Sequence, residues 1–423
     1  MTNFIKKPQG LKTKEEVVNK AFCFIAVSKA NKVMEFLASH YEFRNNIANN
    51  VTEFKKVGEA EFRDMTEIDL NSIWLNMSRD QENGVDVGVD TLQKIIKSDA
   101  FPSYDPYRSF LESLPEWNGH DHIVDLAATV KTDDDEYWLW SLKKWFVALV
   151  GSLADDKTVN QTALIMCGGQ GAGKSSWFRH LLPKELRRYY ASGFMDFKDK
   201  ETLVQLSELV LFNMDELVSL DGKNVQPVKE LITKPDMRLR RAYTKLTQNY
   251  IRRCSFCGTS NTTDILYDVT GNRRFLCNKV INITDYELKG FNLPQLYAQA
   301  YQLFRTGFKF WLDVADQNKV EKHNARFRSV PLEEEIISTY LEPCKDGEDG
   351  AKRMQTHEIL DFLQDKLSRN NKLSPEKLGK TLSAMGFQTK KSKGLNYRLV
   401  RLKSILPDTE KESNPIHPTP SEE

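Results

Sequence analysis

Gly168, four intervening residues, then Gly173, Lys174 and Ser175 set a glycine-rich loop, a lysine and a hydroxyl in the spacing G-x-x-x-x-G-K-[ST]. Glycines at such positions let backbone N–H groups turn inward around phosphate oxygens, the pattern of a phosphate-binding P-loop. The candidate nucleotide-binding residues are therefore Gly168, Gly169, Gln170, Gly171, Ala172, Gly173, Lys174, Ser175 and Ser176. Lys174 would reach the β- and γ-phosphates of a triphosphate, and the Ser175 hydroxyl would hold Mg²⁺. Further on, the apolar run in Glu208-Leu-Val-Leu-Phe-Asn-Met-Asp-Glu216 ends in two acids. That is the Walker B arrangement, in which Asp215 joins the Mg²⁺ shell and Glu216 polarises the attacking water. Asn261 closes the strand-like Cys254-Ser-Phe-Cys-Gly-Thr-Ser-Asn261, where its amide can hydrogen-bond the water or the γ-phosphate. ATP and Mg²⁺ are the ligands that this chemistry requires.

Two basic features follow. Leu231 to Arg253 concentrates basic residues, among them Arg240 and Arg241, around a turn expected at Thr244-Lys245, with Tyr243 beside it. By itself such a charge run is commonly a solvated face. Gly271-Asn-Arg-Arg-Phe275 then sets Arg273 and Arg274 on a turn before another apolar run. Their guanidinium groups could neutralise charge on a neighbouring subunit's nucleotide, or form surface ion pairs.

These groups must be positioned by strands that end at the loop and by a helix that leaves it. Thr162 to Met166 is apolar and β-tolerant, and Ser176 to Leu182 can continue a helix. Upstream, Trp138, Leu142, Trp145, Phe146, Leu149 and Leu153 recur at spacings of three and four, so one face of a helix is expected to pack on the nucleotide-binding domain. Residues 1–104 form an α+β region without a catalytic signature: Lys14 to Leu37 reads as helix, Tyr41 to Phe54 as a hairpin with an Asn-rich turn, and Thr91 to Lys97 as helix. Leu293 to Phe304 reads as an amphipathic helix that closes the core of a domain spanning 105–325. Beyond it, 326–405 shows helix, helix and a basic hairpin, the order of a small winged-helix unit, and 406–423 is expected to be disordered.

Composition bounds the partners. Sixty basic against 59 acidic residues exclude a globally basic nucleic-acid coat but leave room for a local basic channel. The six cysteines are dispersed, and Cys254-x-x-Cys257 lies in a strand-like run, which reads as core packing rather than a metal or redox pair. No stretch is apolar and long enough to span a bilayer, and the first residues lack a signal-peptide core, so a cytoplasmic protein without membrane attachment is expected.

A P-loop, an acidic strand, a basic hairpin, a strand ending in Asn and an Arg-Arg-Phe turn within about 110 residues resemble the superfamily 3 helicase core, an AAA+-like P-loop NTPase with a central parallel sheet. Within that group the chain looks like the virulence-associated protein E family of phages, plasmids and chromosomal islands, over roughly residues 105 to 280. The resemblance implies that Arg273 or Arg274 is an arginine finger. It also implies that Thr244-Lys245 is the tip of a DNA-translocating hairpin in the pore of a hexameric ring, with Lys245 and Tyr243 gripping single-stranded DNA. Relatives often carry a primase domain upstream; residues 1–104 show no acidic cluster suited to polymerisation, so priming is not expected and a separate primase or replication initiator would be a partner. The implied function is an ATP-dependent DNA helicase serving replication of a mobile element. The alternative is an ATP-gated DNA- or protein-binding switch without translocation. A small-molecule kinase is disfavoured, because no lid signature is present.

Overall fold

The computed structural model describes residues 29–80, 85–193, 199–215, 225–239, 247–266, 271–368, 372–392 and 394–403. These fall into two compact units, one within 1–263 and 270–325, the other within 264–269 and 326–423. The expected helix over Lys14–Leu37 is described only from residue 29, and the tail 406–423 lies outside the described residues.

The amino-terminal part of the first unit is a four-stranded sheet. Strands β1 (Tyr41–Asn46) and β2 (Val51–Lys56) pair antiparallel, β3 (Arg63–Asp64) and β4 (Ser103–Tyr104) flank them, and the order is β3-β2-β1-β4. The Asn-rich turn between β1 and β2 carries Asn50 at φ 58°, a left-handed conformation that asparagine tolerates better than most residues. Helices Glu67–Arg79 and Val89–Ile96 cover one face and enclose Phe43, Phe54, Leu70, Ile73, Met77, Leu92 and Ile96.

Six strands make the central sheet: β5 (Val130–Thr132), β6 (Ala163–Cys167), β7 (Tyr190–Gly193), β8 (Leu211–Met214), β11 (Ser255–Ser260) and β12 (Phe275–Ile283), in the order β5-β12-β6-β11-β8-β7. All neighbours are parallel except the edge pair β5 and β12, so the sheet is mixed at one edge. β6 is apolar and buried at every position, as expected of a strand covered on both faces. Between β8 and β11, strands β9 (Asp236–Leu239) and β10 (Gln248–Ile251) pair antiparallel as a separate ribbon. The tip expected at Thr244-Lys245 falls between them, outside the described residues.

The aromatic helix runs over Asp135–Ala154, capped by Asp134. One buried face was expected, but every residue from Lys144 to Leu153 is buried. The helix is sandwiched. On the sheet side, Trp145 Nε1 donates to the Phe256 carbonyl of β11 at 2.9 Å, and Ser152 donates to the Arg253 carbonyl at 3.0 Å. On the other side, helix Leu293–Arg305 brings Tyr297 edge-on to Phe146 and seats Phe304 against Gly151. The buried Lys144 ammonium is held by the Lys309 carbonyl at 2.8 Å and by Asp316 at 3.1 Å.

Arg252, just past β10, is wholly buried. It donates to the carbonyls of Ile232, Lys234, Asn160 and Cys254, so one guanidinium ties the ribbon to the ends of helix Val225–Thr233, β6 and β11. Burial pushes its pKa down to about 10, which leaves it charged at neutral pH.

The second unit contains helix Leu332–Tyr340, β13 (Leu341–Pro343), β14 (Ala351–Met354), helices Thr356–Gln364 and Pro375–Ala384, and the hairpin β15 (Thr389–Ser392) and β16 (Leu395–Leu402). Its core is Ile336, Ile337, Ile359, Leu363, Leu378, Leu382, Phe387 and Val400. The chain is mixed α/β with several sheets. Among the described residues no helix is long and apolar enough to cross a membrane.

Candidate active site

The loop after β6 turns on two left-handed glycines, Gly171 at φ 79° and Gly173 at φ 82°. A Cβ at Gly173 would also sit 2.8 Å from Cβ of Tyr286, and one at Gly168 would lie 2.6 Å from the Val280 carbonyl of β12. Both positions therefore exclude side chains for reasons of space, and Gly173 also for its left-handed backbone. Helix Lys174–His180 leaves the loop directly from Gly173.

Lys174 is buried, and its ammonium donates to the carbonyls of Gly168 at 2.8 Å and Gly169 at 2.7 Å. Asn261 Oδ1 lies at 3.5 Å, the outer limit of a hydrogen bond. Burial lowers the lysine pKa. Neutral carbonyls offset only part of the cost of a buried ammonium, and an anion at this point would offset more.

Asp215 follows β8, and its Oδ1 collects three donors: the Ser175 hydroxyl at 2.9 Å, the Thr259 hydroxyl at 2.9 Å and the Asn213 amide at 2.6 Å. Three strands thereby converge, since β6 leads to Ser175, β8 to Asp215 and β11 to Thr259. Thr259 and Asn213 were not foreseen. Each stands two residues before an acid or amide that was, Asn261 and Asp215, and a period of two places such pairs on one face of a strand.

The nine loop residues are not all used alike. Gln170 to Ser176 line an open cleft of about 750 Å³ together with Gly193, Asp215, Thr259 and Asn261, while Gly168 and Gly169 supply the carbonyls beneath Lys174. Serine hydroxyl and carboxylate are hard oxygen donors of the kind Mg²⁺ takes, so the Ser175 and Asp215 pair fits that ion. Glu216, Arg240, Arg241, Tyr243 and Lys245 lie outside the described residues.

Arg273 and Arg274 stand elsewhere. They occupy the turn Asn272–Arg274 that enters β12, whose first residue Phe275 pairs with Ala163 at the start of β6. The glycine loop leaves the other end of that five-residue strand, roughly 15 Å away at the rise of an extended chain. The arginines therefore cannot reach the cleft of their own chain. Arg273 donates to Gln317 at 2.9 Å, whereas the buried Nε of Arg274 has no hydrogen-bond partner among the described residues. Burial, aided by the Arg273 charge, lowers the Arg274 pKa. Both line a cavity of about 380 Å³ with Lys157, Gln161 and Trp311.

Cys254 and Cys257 are fully buried, and Cys257 donates towards the Phe212 carbonyl and Asn213 Oδ1. All five described cysteines are buried, and among the described residues none forms a disulfide and this pair joins no group that could hold a metal.

No curated protein matches the sequence. Solved structures with a coarse likeness include three described as apo structures of the NrS-1 C-terminal region. An A form of 305–718 is 13% identical at TM-score 0.47, covering 89% of this chain and 100% of that one. A second A form is 15% identical at TM-score 0.43, covering 88% and 99%. A further structure of 305–718 is 13% identical at TM-score 0.45, covering 89% and 99%. Residues 111–329, more than half of the chain, match the model of the virulence-associated protein E-like domain. The chain thus belongs to the virulence-associated protein E-like family.

Proposed function

We propose that the chain is a Mg²⁺-dependent ATPase with a P-loop NTPase core, acting as a DNA helicase or translocase in the replication of a mobile genetic element. The observation that carries the nucleotide reading is the convergence of Ser175, Asp215 and Thr259 beside Lys174 at the ends of three adjacent parallel strands. β11 lies between the loop strand and the acidic strand, which is the arrangement expected where an Asn at a strand end monitors hydrolysis. Lys174 would bind the β- and γ-phosphates, and loop amides from Gly169 to Gly173 would cradle them. Ser175 and Asp215 would hold Mg²⁺, which when bound neutralises charge on the phosphate oxygens. Glu216 would polarise the water and Asn261 would orient it.

Helicase action rests on family membership and on the basic ribbon. β9 and β10 stand apart from the central sheet on either side of Arg240, Arg241, Tyr243 and Lys245, the residues that would grip a single strand. Placement of Arg273 and Arg274 at the far end of the sheet favours an assembly in which they complete a neighbour's site, as in a hexameric ring. The carboxy-terminal helices and hairpin would serve as a winged-helix-like docking module, and a separate primase or replication initiator would cooperate with the ring in the cytoplasm.

The test is the rate of ATP hydrolysis with and without single-stranded DNA, with the mass of the assembly measured in ATP. Strand-stimulated hydrolysis by a ring supports the reading. Slow turnover indifferent to DNA replaces translocation with an ATP-gated switch, and absence of ATP binding removes the nucleotide site.

A further inference from the structure

Outside the nucleotide cleft, His120, His122 and Asp125 bring two imidazoles and a carboxylate together, with one ligand atom of each within 4.8 Å of the others. His122 and Asp125 are one turn apart on helix His122–Ala128, so they share a face, and His120 reaches the same point from the preceding turn. His120 Nε2 lies 2.6 Å from Asp125 Oδ2, and the two imidazole rings meet edge-on at 4.8 Å between centroids.

The surroundings are built to hold these groups still. Asn118 Oδ1 accepts from His122 Nε2 at 3.0 Å, which places the hydrogen on Nε2 and leaves Nδ1 with its lone pair. A ring N–H given to a carbonyl oxygen is the usual partner arrangement behind a metal-ligating histidine. The same Asn118 oxygen accepts the His120 backbone N–H at 3.0 Å, and Trp117 Nε1 donates to the His120 carbonyl at 2.7 Å. Two glutamines of helix Leu293–Arg305 brace the turn. Gln295 accepts from Asn118 N and donates to the Glu116 carbonyl, while Gln299 accepts from Ile123 N and donates to Asp121.

We propose that His120, His122 and Asp125 form a binding site for a divalent transition-metal ion, best suited to Zn²⁺. Neutral imidazoles with one carboxylate are borderline ligands that favour Zn²⁺ over Mg²⁺ or Ca²⁺. Three protein ligands leave a coordination position for water, consistent with the exposure of His120 and Asp125. The ion would staple the turn at Pro115–Gly119 to the start of the following helix. It does not depend on the nucleotide reading.

The untagged full chain, stripped with chelator, is titrated with Zn²⁺ by calorimetry. The wild type is expected to bind one equivalent that the double variant His120→Ala, Asp125→Asn loses and that Asp215→Asn keeps. Asn118→Ala should weaken that equivalent about 10-fold, as removal of an outer hydrogen-bond partner does. X-ray absorption on the Zn²⁺-loaded wild type reads the ligands directly and does not rely on the variants folding. Imidazole scattering in the first shell supports the site. Equal stoichiometry in wild type and double variant, or a first shell without imidazole, overturns it.

Discussion

Ser175 donates its hydroxyl to the Asp215 carboxylate at 2.9 Å across 40 residues of sequence. The bond joins the first turn of the helix after the glycine loop to the end of β8, and Thr259 on β11 completes the group. A Ser175→Ala chain should keep its fold and raise the Mg²⁺ concentration needed for half-maximal ATP hydrolysis by about 10-fold or more, while Lys174→Ala should abolish hydrolysis. Magnesium titration of phosphate release checks both. An unchanged magnesium requirement would separate Ser175 from the metal.

Because Arg273 and Arg274 sit at the opposite end of β6 from the loop, the two sets of residues should complement between chains. Arg274→Ala is expected to lose about 10³-fold in turnover, the scale of an arginine finger, and Lys174→Ala to be inactive. Mixed subunits should regain activity, since some interfaces pair an intact loop with an intact arginine. If Arg274→Ala stays active while Arg273→Ala is inactive and is rescued by Lys174→Ala, the finger is Arg273; if no arginine variant is rescued in a mixture, completion by a neighbour is overturned.

Leu149 is wholly buried between the sheet and helix Leu293–Arg305. Leu149→Ala should cost about 2–5 kcal/mol in urea unfolding, whereas Val124→Ala, on an exposed face, should stay within about 0.5 kcal/mol. Comparable losses at the two sites would contradict the all-round burial of the aromatic helix.

Asp69 receives a bidentate pair from Arg63 and further hydrogen bonds from Thr66. Arg63's donated bonds, more than those of Thr66, hold the carboxyl well below the usual carboxylate range. A carboxyl depressed in the folded state adds stability that is complete above its unfolded pKa near 4 and is lost as pH falls through the folded value. Unfolding measured from pH 6 downward should therefore show a steeper loss below about pH 4 in the wild type than in Asp69→Asn. Parallel curves would refute the coupling.

Burial pushes the Cys254 thiol up to about 12 and the Cys257 thiol well above its ordinary value. Peptides carrying the pair should take up a thiol reagent only after denaturant is added, as mass spectrometry of labelled digests would show. Fast labelling of the native chain would expose the strand.

The loop, Asp215 and Asn261 at the end of β11 are legible in sequence because each is a local pattern, an apolar run with chemistry at its end. Thr259 and Asn213 were not, although their spacing by two from Asn261 and Asp215 held the signal, because a hydroxyl or amide inside an apolar strand is ordinary until a neighbouring strand brings an acceptor. Pairing is non-local, so the antiparallel edge strand β5 gave no sign. The aromatic helix misled for a related reason. Its strongest residues trace one stripe, but Trp145 of that stripe meets the sheet while Phe146 meets a second helix, whose Phe304 approaches where Gly151 carries no side chain.

β12 begins at the arginine turn and, five residues on, presents the Val280 carbonyl to Gly168 at a distance that no side chain there could survive. A single strand thus has the arginine turn, the handle a neighbour would grasp in the proposed ring, at one end and the mouth of its own cleft at the other. Grasping the handle would press on the loop, so in a closed assembly occupancy would pass from each chain to the next along β12, and firing order around the circle would be written into one strand.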